Sequence, residues 1–130
     1  LRFRMSTDGG STYRSGGSDY AWSAVFQGST AVNYAFDAAD SFVSITPRTL
    51  ENTATNAGYN GTSTIYSPDT ANETMVVGTC GYYGSSASQT LSSATFQGFS
   101  TFSLAVDAFQ WSMSSGNIAS ATIHVYGIVR

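Results

Sequence analysis

Ser6-Thr7-Asp8-Gly9-Gly10-Ser11-Thr12-Tyr13 places one carboxylate among several hydroxyls and ahead of two glycines. Two kinds of chemistry fit such a cluster. Asp8 with Asp19 could offer oxygens to calcium, but calcium takes 6–8 ligands, and the stretch between them lacks the closely spaced acidic or Asn positions of a calcium loop. The alternative is a turn. Asp-Gly-Gly permits positive φ at its glycines, and an Asp side chain accepts hydrogen bonds from backbone N–H groups two residues on. The residues therefore predict a structural hairpin built from Ser6, Asp8, Gly9, Gly10, Thr12 and Tyr13. Ser6 and Thr12 face each other across it and Tyr13 packs beneath.

Other reactive residues are sparse. His124 is the sole histidine and Cys80 the sole cysteine. A Ser–His–carboxylate triad needs three groups that converge in space, and no spacing here signals one. Cys80 with His124 could form a thiol–imidazole pair, yet a lone Cys in an apolar strand reads as a small buried hydrophobe. One His and one Cys do not make a zinc site. Asp37 and Asp40 read as loop-solvating charges. The expectation is a protein that is no enzyme, with no catalytic residue, metal or cofactor.

Binding is better represented. Aromatic faces stack on sugar rings, and the chain has eight Tyr and two Trp. Tyr82 and Tyr83 are adjacent, so on a strand one of them must face outward. With Tyr59 they form the candidate contact set for a carbohydrate or a partner. Against this stands the ordinary use of Tyr in an all-β core, with each hydroxyl reaching a polar rim.

The elements that must position these residues are strands. Hydrophobic residues make up 42% of the 130-residue chain, while charged residues make up 10%, well under the usual share of about 25%. Ser and Thr supply roughly a quarter of the chain and solvate it instead, a composition that suits pleated strands and turns. Period-two alternation recurs in "LRFRM", "DYAWSAVF", "SFVSITPR", "GTSTIYS", "ETMVVGTCGYY", "QTLSSATFQ", "TFSLAVDAFQWSM" and "ASATIHVYGIV". About eight strands at even spacing predict an all-β, jelly-roll-like antiparallel β-sandwich in a single domain, residues 1–130. Gly78 suggests a bulge, and Ala31 to Asp40 reads as a loop with at most one helical turn. Gly28 to Asp40, Thr49 to Tyr59 and Tyr82 to Gln89 are the candidate presenting loops.

A net charge of −3 and five scattered arginines, with no lysine, exclude the basic footprint of nucleic-acid binding. No apolar run approaches the ~20 residues of a membrane helix, so no membrane insertion is expected. A single cysteine excludes an intrachain disulfide. Because Leu1 already stands in strand-like sequence, the domain is expected to be the C-terminal part of a longer chain.

Two resemblances bear on function. The Ser-x-Asp-x-Gly-x-Thr-aromatic order resembles the Asp box of sialidase propellers, but it occurs once here, in a chain too short for four blades. The opening "LRFRMSTDGGSTYRSGGSDYAW" and the closing "WSMSSGNIASATIHVYGIVR" together resemble the bracketing segments of a group of tailed-bacteriophage virion proteins. The resemblance covers a quarter to a third of the chain. It implies a sandwich at the virion surface, in a tail fibre, tailspike, neck or head appendage, assembled in the host cytoplasm. It further implies other virion proteins as partners and a homo-oligomer, with a trimer favoured. A host-surface glycan is the remaining expected contact, and a carbohydrate-binding module is the alternative function.

Overall fold

A computed structural model describes residues 1–27, 31–48, 50, 58–84 and 90–127. Among them are eight strands and no helix: β1 (Arg2–Ser6), β2 (Tyr20–Gln27), β3 (Val32–Asp40), β4 (Val43–Ser44), β5 (Tyr59–Tyr66), β6 (Met75–Gly84), β7 (Thr90–Ser100) and β8 (Ala108–Ser112). They form two antiparallel sheets, one ordered β4-β1-β8 and the other β3-β2-β7-β6-β5. First pairs with last and second with second-to-last, the nested pairing of a jelly-roll-like sandwich. The all-β sandwich expected from the alternation is the fold observed.

The alternation decides which side chains meet. From β2, Tyr20 and Ala24 point inward and are buried; from β6, Val76, Cys80 and Tyr82; from β7, Ala94 and Phe96. Phe3 and Met5 of β1, with Val43 and Ile45, close the core from the smaller sheet. Phe3 stacks on Phe109 with ring centroids 5.7 Å apart and meets Trp111 edge-on at 5.2 Å, which fastens β8 to β1. Two buried hydroxyls at the sheet ends, those of Tyr20 and Ser100, are paired, as burial in an apolar interior demands. Tyr20 accepts the Met5 N–H at 2.8 Å, and Ser100 accepts the Thr74 N–H at 2.9 Å while donating to Phe102 O at 3.1 Å.

Four expectations are corrected. Residues 32–40 form no helical turn: they are β3, an edge strand paired with β2 from Val32 opposite Gln27 to Asp40 opposite Tyr20. Val32, Tyr34 and Phe36 share one face there, an alternation that Ala35 and the Asp-Ala-Ala-Asp run after Phe36 obscure. Gly78 sits at no bulge, since β6 keeps register with both neighbours throughout; the bulge is in β3, where Asp37 to Asp40 runs one residue longer than Trp22 to Tyr20 opposite it. Gly78 is needed because the Phe96 ring lies over it. Residues 101–107 of the expected seventh run are not strand, which starts only at Ala108. Finally, the run Ala119 to Gly127 is in neither sheet. Of the proposed presenting loops, 28–30, 49, 51–57 and 85–89 lie outside the described residues.

Candidate functional site

The Asp8 turn is locked by its own hydroxyls. Ser6 Oγ is buried; it donates to Asp8 Oδ1 at 2.8 Å and accepts the N–H groups of Asp8 (3.2 Å) and Gly10 (2.9 Å). Asp8 takes Thr12 N–H on Oδ1 at 2.9 Å and Thr12 O–H on Oδ2 at 2.5 Å. Gly9 and Gly10 adopt φ of 71° and 81°, the left-handed region that the sequence demanded of them. Gly9 N–H donates to Asp107 Oδ2 at 2.8 Å, which ties the turn to the entry of β8. The Tyr13 hydroxyl lies against Gly10.

This turn is not the hairpin expected. β1 pairs with β4 and β8, whereas β2 belongs to the other sheet. Apart from the Arg14 N–H donated to Met5 O at 3.0 Å, the chain after the turn crosses between layers. The cluster is therefore a corner of the sandwich, and the groups that donate to its carboxylate, on Ser6 and Thr12, belong to the turn itself.

Those bonds hold the Asp8 carboxyl well below the usual carboxylate range, at about 2, with the Thr12 hydroxyl as the largest cause. Because the folded value is depressed, the contribution to stability is present above the unfolded value near pH 4 and is lost as pH falls toward 2. An NMR titration should find the Asp8 midpoint near 2, and Thr12→Val should move it toward 4. A wild-type midpoint at about 4 would contradict the network.

The three candidate tyrosines do not form one platform. Tyr82 is 1% exposed, inside the core, while Tyr83 points to the opposite face of β6 and is partly exposed. Tyr59 stands opposite Tyr82 in the register and is 38% exposed overall, but its hydroxyl turns in against Gly61 and near Cys80. Burial, reinforced by Cys80, raises the Tyr59 phenol.

The reactive pair is not assembled either. Cys80 is buried, its thiol pushed up to about 11 by burial and donating to Ile45 O at 3.7 Å. His124 is exposed, and among the described residues its ring stacks on Tyr126. Trp22 Nε1 donates to Asp40 Oδ2 at 2.9 Å, and Asp37 accepts Ala39 N–H at 3.0 Å, so both acids are engaged locally. Arg2 lies over Phe42, Arg14 lies over Phe102, and Arg4 donates to Ser41 O. These three arginines thus serve the fold.

Two features remain that sequence reading did not isolate. One is the arm from Ser114 to Gly127. It leaves β8 through a bend with φ of 71° at Gly116 and stays exposed throughout. Among the described residues no backbone hydrogen bond joins it to either sheet. Its sequence is nonetheless that of a strand, with Ala121, Ile123 and Val125 on one side and Thr122, His124 and Tyr126 on the other. Val125 and Tyr126 are 82% and 84% exposed. The other feature is the outward face of the five-stranded sheet, where Val25, Tyr34 and Phe36 are exposed around a trough. The pattern of β3 holds the signal for this face, but it becomes legible only once β3 is known to be a strand. Set against known proteins, the chain matches no family model, no curated protein and no solved structure.

Proposed function

We propose that this domain is a structural and attachment module of a tailed-bacteriophage particle, which self-associates and docks to neighbouring virion chains. The observation that carries the reading is the arm. Residues 119–126 alternate between apolar and polar character, and among the described residues their backbone groups pair with neither sheet. They form an incomplete element that a second chain can complete by strand addition. The edge of β8 is a matching acceptor: it is the free side of a three-strand sheet, and its Phe109 and Trp111 are only partly covered. A strand laid there would cover them with Ile123 and Val125. The resemblance of both chain ends to phage virion proteins supports the same reading. No converging set of catalytic groups among the described residues favours an enzyme over it.

Light scattering on the full chain tests this. A homo-oligomer is expected, reduced to a monomer by Ile123→Asp with Val125→Asp. Both side chains are exposed, so the sandwich itself should keep its thermal stability. A wild-type monomer at roughly tens of micromolar, with arm amides protected from exchange, would show the arm docked in its own chain and would sink the assembly reading. Immunogold label on the surface of phage particles would support the virion location, and its absence would count against it.

A further inference from the structure

The five-stranded sheet has one face in the core and one outside. The strand register sets Thr62, Thr79, Thr95, Val25 and Tyr34 side by side across all five strands on the outward face. One step along, Gln97, Ser23 and Phe36 make the neighbouring row, with Gln97 Nε2 donating to Ser23 Oγ at 3.1 Å. A trough of ≈ 540 Å³ crosses the face, touching every strand of the sheet. A second lobe of ≈ 370 Å³ shares Val25 and Thr95 with it and is walled by Tyr34 and Phe36. These two rings are 78% and 69% exposed. They lie nearly parallel, with centroids 6.5 Å apart and planes 12° from each other.

Three properties of the trough select its occupant. None of the described residues lining either lobe is charged, so an ionic ligand would leave water without a counter-charge to receive it. The floor is a ladder of hydroxyls with a side-chain amide, which a purely apolar ligand would strand. The wall offers two largely exposed aromatic rings, able to meet the C–H face of a sugar ring. A second copy of the same face is a poor fit, because two troughs set face to face enclose a void.

We propose that this trough binds a neutral oligosaccharide. Tyr34 and Phe36 stack on its rings, while Thr62, Thr79, Thr95, Ser23 and Gln97 exchange hydrogen bonds with its hydroxyls. The proposal goes beyond the assembly reading and does not depend on it: particle mass reports on the arm, saccharide binding on the trough.

The test is an array of neutral and acidic glycans probed with the full chain, followed by titration calorimetry with the neutral glycan retained most strongly. Tyr34→Ala and Phe36→Ala should each weaken binding roughly tenfold or more without lowering the melting temperature, since both side chains are exposed. Tyr126→Ala, on the arm, should leave binding unchanged. Retention of no neutral glycan, retention of acidic glycans alone, or binding indifferent to Tyr34→Ala would each overturn the proposal. So would a fall in oligomer mass caused by Tyr34→Ala, which would make the face a subunit contact.

Discussion

Gly78→Ala is expected to destabilise the domain by about 3 kcal/mol, the upper part of the range for forcing volume into a packed core. Gly78 lies mid-strand in β6, opposite Phe96 of β7 and Ser63 of β5. A Cβ there would stand far inside van der Waals contact of both Phe96 Cζ and the backbone oxygen of Thr62. The ring could turn aside; the carbonyl is fixed in the β5–β6 ladder and cannot. For that reason Gly78→Ala combined with Phe96→Leu should recover only part of the loss. Gly81, further along the same strand, is the control. Its Cβ would meet nothing closer than Ser92 O at 3.9 Å, so Gly81→Ala should change stability by less than about 0.5 kcal/mol. Denaturant titration checks both, and the Gly78 variant should shift the midpoint at unchanged slope. Equal costs at the two glycines would mean that the Phe96 ring does not lie over Gly78.

Phe3→Ala is expected to cost about 4 kcal/mol, within the usual range for truncating a buried phenylalanine. Phe3 is fully buried on the central strand of the smaller sheet. It stands opposite both Val43 of β4 and Trp111 of β8. Its ring is where Phe109 and Trp111 anchor, so its loss leaves a cavity and also removes what fastens β8 to β1. The Trp111 contribution to fluorescence should shift to the red before the global transition. A loss under about 2 kcal/mol would show that the three-stranded sheet can slide to refill the gap.

The strands that alternate cleanly are readable from sequence. Tyr20, Trp22, Ala24 and Phe26 share the inward face of β2 because period-two spacing leaves no other choice on a strand. Tyr82 and Tyr83 part to opposite faces for the same reason, but which of them goes inward depends on the sheet opposite. From sequence Tyr82 therefore looks available, although it is core. β3 escapes a sequence reading because three of its nine residues are Ala and two are Asp, residues that favour no pleated surface. What makes it a strand is the ladder offered by β2, seen only in three dimensions. The Asp8 turn is legible down to its donors, since Asn/Asp turns are local chemistry. Its topology is not, because whether the next strand returns beside β1 or crosses to the other layer is decided by β7 and β8, far along the chain. The trough is assembled from short pieces of five strands that lie far apart in the sequence, so no one stretch of sequence announces it.

The nested strand order has a kinetic consequence. Arg2 pairs with Ser112 and Tyr20 with Ser100, so neither sheet can close until almost the whole chain has been synthesised. Contacts this distant in sequence make for slow folding, because the loop-closure entropy is spent before the pairing returns it. A ribosome making this domain carries β1 and β2 for most of its translation without their partners β8 and β7, with the aromatic faces of Phe3, Tyr20 and Trp22 uncovered. Sheets of this kind are exposed to mispairing during that interval.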